Sequence, residues 1–179
     1  MTDARPELSE WMITRTALPD FSMGAHFSRV RGSDRNSTVW LAQANGLAYR
    51  WLENDVQANL YGSLGGGARI TPTKSTTAVL AAVEADWETR RSYANTRIET
   101  LASPRLVPIQ RLLARAGFAP YLAPFEGLHT WLVLEGDLRD HHSGVRLTPI
   151  LRVFYQNVLW EIGTSLEEGD THLAIAIEL

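Results

Sequence analysis

Cysteine is missing from all 179 residues, which removes disulfides, thiolate nucleophiles, iron–sulfur clusters and cysteine-based zinc sites. Lysine is nearly missing too: Lys74 stands alone beside 16 arginines. No run approaches the ~18 uninterrupted apolar residues that a membrane-crossing helix needs. The stretch from Met1 to Arg15 carries acids and has no long apolar core, so it does not read as a secretion signal. These absences lead to the expectation of a cytoplasmic protein, or a particle assembled in the cytoplasm, without a membrane partner.

What is present resembles an ordinary globular chain. Hydrophobic residues make up 45% and charged residues 21%, enough apolar material to bury a core and too much for disorder. The length fits one domain spanning residues 1–179. Net charge is −3, but it is unevenly spread. Residues 1–60 sum to −1, residues 61–120 to +4 and residues 121–179 to −6. A basic face on one copy meeting an acidic face on the next would steer association and set register.

Local patterns predict mixed helix and strand. Pro6, Leu8, Trp11, Met12 and Arg15 suggest a short amphipathic helix. Phe27 to Arg31 reads as extended, and residues 32–36 as a polar loop. Thr38 to Ala44 and Leu47 to Leu52 read as strands joined by Asn45-Gly46, the residues of a tight hairpin turn. That register would place Trp40 opposite Trp51. A turn at Glu53-Asn54-Asp55 leads into a strand from Val56 to Leu64, and Gly65-Gly66-Gly67 reads as a connector. Ser75 to Arg91 predicts a helix with Val79, Leu80, Val83 and Trp87 on one face, and Pro108 to Ala116 a second one capped by Gly117. Arg97 to Leu101 fits either strand or helix. Phe118 to Gly127 reads as an apolar loop. Four strands follow: Leu128–Glu135, Val145–Phe154, Val158–Gly163 and His172–Leu179. The predicted fold class is therefore α+β: an antiparallel strand meander, central helices, then a second antiparallel strand cluster.

Motifs for chemistry are sparse. The triple glycine lacks the GxxxxGK[ST] or GxGxxG pattern of a phosphate cradle. His129, His141 and His172 are the candidate metal ligands, yet no ligand spacing connects them, so no metal site and no cofactor are expected. His141-His142 sits in a turn beside Ser143-Gly144. A basic stripe through Arg90, Arg91, Arg97, Arg105, Arg111 and Arg115 lacks the interleaved aromatics of a nucleic-acid surface. The segment from Arg97-Ile98-Glu99-Thr100-Leu101 to Arg115-Ala116-Gly117-Phe118 resembles a strand–helix stretch of the GNAT acetyltransferase family. That likeness implies acetyl transfer, but Thr73-Lys74-Ser75-Thr76-Thr77 stands where the family's glycine-bearing pyrophosphate loop belongs.

The functional expectation is a non-enzymatic assembly protein, a subunit of a symmetric ring, tube or virion-like particle such as a phage tail or neck component. Its partners would be proteins, copies of itself or other assembly components, with nucleic acid set aside. Trp40, Trp51, Arg105, Arg111, Arg115, Glu167, Glu168 and Asp170 are the candidate interface residues. Two alternatives are a small-molecule enzyme or binder with a tryptophan-lined pocket, and an inhibitor of a single partner protein. The assembly reading rests on one idea, that there is more oily strand surface than three short helices can cover; a monomer that hid all of it and displayed a polar cleft would favour the catalytic alternative.

Overall fold

The computed structural model describes residues 7–18, 20–31, 36–124, 126–140, 144–167 and 171–177. Every regular element among them is a strand: β1 (Glu7–Leu18), β2 (Phe21–Arg31), β3 (Ser37–Glu53), β4 (Val56–Thr71), β5 (Lys74–Thr89), β6 (Ser92–Ser103), β7 (Leu106–Phe118), β8 (His129–Arg139), β9 (Arg146–Tyr155), β10 (Val158–Thr164) and β11 (Thr171–Ile177). They form a single sheet of 11 strands in simple chain order, each antiparallel to the next. The sheet curls: residues of β2, β3, β5, β6, β7 and β8 line one common cavity, and Cα atoms of β1 and β11 come within 8 Å of each other.

The α+β expectation is thus overturned, and each predicted helix is a strand. The segment after Pro6 is β1, Ser75 to Arg91 is β5 with its turn, and Pro108 to Ala116 lies inside β7. The reason lies on the two faces of the sheet. In β5, Ala78, Leu80 and Ala82 are buried while Val79, Ala81 and Val83 are exposed. Both faces are apolar there, so the alternation of a strand is invisible to a polarity pattern. Helix-favouring alanines complete the disguise. Arg97 to Leu101 is strand, in β6, and the acetyltransferase-like segment is the β6–β7 hairpin, with no helix in it.

Asn45-Gly46 is not a turn either. It lies within β3, where Gly46 is paired with Phe21 on one side and Gly62 on the other. Trp40 consequently faces Phe27 and Ala68 rather than Trp51, and Trp51 faces Ala58. The triple glycine is strand as well, laddered to Leu41, Ala42 and Gln43. A Cβ on Gly67 would collide with the carbonyl of Trp40, so only glycine permits β3 and β4 to approach this closely here. Turns at residues 54–55 and the apolar connection at 119–128 fall where the sequence places them, and the last four strands lie within a few residues of their predicted bounds.

A small apolar core sits on the concave face. Val39, Leu41, Ala78, Leu80, Ala82 and Leu101 form it, with Ile109 packed against them.

Candidate functional site: a charged concave face beneath an apolar convex face

Successive side chains of a strand point to opposite sides, so one curled sheet has two faces of independent chemistry. In β8, Val133, Glu135 and Asp137 are buried, whereas Leu132, Leu134 and Leu138 are exposed. Carboxylates inside and leucines outside reverse the ordinary order of a protein in water.

The concave face carries a ladder of ion pairs in which partners are direct cross-strand neighbours. Glu84 faces Arg97, Glu99 faces Arg111, Arg115 faces Glu135, Asp137 faces Arg146, and Arg152 faces Glu161. Directly opposed pairs of opposite charge reinforce strand register. Asp137, only 1% exposed at its side chain, is the hub. Its Oδ1 accepts from Arg111 Nε at 3.0 Å, and its Oδ2 accepts from Arg139 Nη2 and Arg146 Nη2 at 2.6 Å each. Arg111 and Arg139 are themselves directly opposed, and the carboxylate between them offsets the repulsion.

From this hub the network runs along the face. Arg111 Nη1 lies 3.5 Å from Glu99, whose Oε2 accepts from Arg97 Nε at 2.9 Å, and Arg97 Nη1 reaches Glu84 at 2.9 Å. Nearer the other end, Arg115 Nε donates to Glu135 at 2.7 Å, and Arg152 Nε donates to Glu161 at 2.6 Å. The Arg152 guanidinium also stacks 4.4 Å above the Tyr93 ring. Burying so many charges is tolerable because the guanidiniums meet their carboxylates in fork geometry and satisfy several donors at once. Beside the hub, His26, Ser28, Glu99, Arg111 and Arg139 border a cavity of about 50 Å³, closed on its apolar side by Leu41, Leu80 and Leu101.

The convex face shows the opposite composition. Val83, Ile98, Leu112 and Leu138 form one cross-strand row through β5, β6, β7 and β8. Phe118, Leu132, Leu151, Ile162 and Leu173 form another through β7 to β11. All nine side chains are exposed. Between them Ala116, Leu134 and Pro149 border a shallow apolar depression of about 740 Å³. Large aromatics gather at one end of the strands: Trp51, Trp87, Phe118, Tyr155 and Trp160 are all exposed near the turns at residues 54–55, 90–91 and 156–157 and the 119–128 connection.

The residues singled out in the sequence scatter across these two faces. Trp40 and Trp51 are convex and about half exposed, at 54% and 52%. Arg111 and Arg115 are concave and engaged within the chain. Arg105 occupies the β6–β7 turn with φ of +60°, and Glu167 is exposed in the β10–β11 connection. Glu168, Asp170 and His141 lie outside the described residues. His129 begins β8 with its ring 6.4 Å from that of Phe154, and His172 belongs to β11 opposite Gly163. Two strands separate β8 from β11, so the histidine strands are not neighbours. Among the described residues there is no group of three or more metal-ligating side chains. Among the described side chains the tryptophans do not converge on a pocket: Trp131 edges towards Tyr93 at 6.3 Å, while Trp40, Trp51, Trp87 and Trp160 are exposed on the other side.

The ladder itself was missed in the sequence. Its signal is present in Leu132-Val133-Leu134-Glu135-Gly136-Asp137-Leu138-Arg139, where leucine alternates with charge at a period of two. No helix among the described residues is long and apolar enough to cross a membrane, which leaves strands untouched as a means of crossing. No protein-family model matches the chain, and neither the curated proteins nor the solved structures return a similar protein.

Proposed function

We propose that this chain is a membrane-embedded β-sheet protein, forming the wall of a transmembrane β-barrel with its convex face in lipid. One observation carries the reading: exposed leucine, isoleucine, valine and tryptophan cover the outside while a charged ladder lines the inside beside a small apolar core. Transmembrane barrels alternate apolar-out and polar-in along each strand, with aromatic residues at the interfaces. In water, an apolar exterior of this extent would be an aggregation liability.

Dimensions support the same reading. An 11-residue strand such as β8 extends ~36 Å at ~3.3 Å per residue. Tilted by ~45°, it covers the ~25 Å apolar band of such a barrel. Backbone polar groups satisfied strand to strand are also what a hydrocarbon medium demands. Strand-borne spans need no long apolar run, so the expectation of a cytoplasmic protein without a membrane partner is replaced in this proposal by a bilayer setting.

The concave face supports a filled interior more than an open channel. With Asp137 locked by three arginines and a cavity of about 50 Å³ beside it, solute passage would require the ladder to part. The reading is of a barrel wall that is mechanically tied from within.

Refolding the chain into vesicles whose acyl chains carry bromine tests the proposal directly. Contact quenching of the convex tryptophans is the expected result. A chain that stays monodisperse without detergent as a large oligomer, with its tryptophans unquenched, would overturn it. That outcome would favour the protein-assembly reading, in which copies of the chain cover the same apolar face.

A further inference from the structure

Among the described residues the sheet has an odd number of strands, and this constrains what its open seam can accept. With 11 strands antiparallel in chain order, β1 and β11 run in the same direction. Their Cα atoms approach within 8 Å, yet among the described residues no ladder joins them. Self-closure would create a parallel pair, less stable per residue than an antiparallel one. A second copy related by an axis along the strands would create two such parallel seams. A single extended segment running the opposite way pairs antiparallel with both edges at once. We propose that the β1–β11 seam is a docking edge for one extended strand of a partner polypeptide, which completes the sheet by augmentation.

Composition favours docking on the β11 side of the seam, whereas β1 carries Glu7, Glu10 and Arg15 and a register shift between Thr16 and Leu18. Exposed edges are normally blunted by lysine, proline, bulges or inward charges. Thr171-His172-Leu173-Ala174-Ile175-Ala176-Ile177 contains no proline, lysine, arginine or carboxylate. Its seven residues pair without a bulge along β10, so its outer edge has the same regular pleat to offer. Two strands flanking a common one lie roughly 9.6 Å apart, twice the ~4.8 Å strand spacing. The present approach, within 8 Å at its closest, requires an opening of at least ~2 Å. The incoming segment would alternate apolar and polar side chains, apolar on the convex side. This inference rests on the bilayer reading in one respect, that unladdered edge amides cost far more in hydrocarbon than in water.

The test uses the full chain in brominated-lipid vesicles and a fluorescent peptide with the sequence of residues 158–164, the native antiparallel mate of β11. The absence of cysteine makes engineered pairs clean: Thr14→Cys with Thr171→Cys, and pairs stepped by two residues along either strand. Saturable peptide binding is expected in the reduced proteins, with at least tenfold weaker binding once a seam disulfide forms. A peptide carrying proline in place of its central glutamate should not bind. Equal binding to oxidised and reduced protein would overturn the proposal, as would no binding to a protein whose tryptophans are quenched. Peptide binding without tryptophan quenching would instead uphold the strand-docking edge and defeat the bilayer reading alone.

Discussion

At the scale of single residues the two faces predict opposite responses to charge. Leu134 is 48% exposed, a position where substitutions in a water-soluble protein typically change stability by less than about 0.5 kcal/mol. In lipid, an arginine near the midplane of a barrel wall costs about 2–4 kcal/mol. Leu134→Arg is therefore expected to lower stability in vesicles by about that amount, read as a shift of the urea midpoint against the parent protein. A shift below about 0.5 kcal/mol would place the convex face in water. Inside the sheet the sign reverses, because charge is what the site requires. Asp137→Ala leaves Arg111, Arg139 and Arg146 without their shared carboxylate, and removing one side of a buried ion pair costs about 3–5 kcal/mol. Arg139→Ala should cost less, since Asp137 retains two guanidiniums. Equilibrium unfolding of both variants in the same vesicles gives the comparison, and equal losses would show that Asp137 is not the hub.

At the scale of elements, the close approach of β3 and β4 rests on the triple glycine, but unevenly. A side chain at Gly67 would strike the backbone of Trp40, while at Gly66 it would meet nothing within 4 Å. Gly67→Ala is expected to destabilise by about 1–3 kcal/mol through overpacking. Gly66→Ala should be neutral or stabilising by up to about 1 kcal/mol, because alanine has less backbone freedom to lose in a strand. Thermal or urea unfolding of the two variants checks the asymmetry. The same segment shows how legible the fold was. Strands whose two faces differ, such as the start of β4 from Val56 and β11 from His172, were readable from their alternation. The Ala78 to Val83 stretch of β5, apolar on both faces, read as a helix, and so did β7 although Arg111 and Arg115 line its concave face. Arg111 and Arg115 illustrate the ambiguity, because residues four apart share a face in a helix and in a strand alike. Asn45-Gly46 carries the chemistry of a tight turn, but its neighbours in β2 and β4 hold it extended. The excess of oily strand surface was legible; the ladder was not, because its partners lie on different strands and register alone joins them.

At the scale of the whole molecule, the positions of the aromatics define a depth axis. Trp51, Trp87 and Trp160 lie near the turns at one end of the sheet, whereas Val83, Ile98 and Leu112 form a cross-strand row near the middles of β5, β6 and β7. Aromatic rings with one polar atom settle at the headgroup boundary, where the ring is sheltered and its N–H stays hydrated. Single-tryptophan proteins retaining only Trp51, Trp87 or Trp160 should be quenched most strongly by lipids brominated close to the headgroup. Moving the one tryptophan to position 98, as Ile98→Trp, should shift the maximum to lipids brominated deep in the chain. Trp40 lies at the opposite end of β3 from Trp51, so a protein retaining only Trp40 should again report a shallow position, from the other leaflet. Leaflet-selective quenching by brominated lipid added to one side separates the two ends. If all five reporters returned one depth, the sheet would lie along the membrane surface instead of crossing it, and the strand lengths would have to be explained without a bilayer.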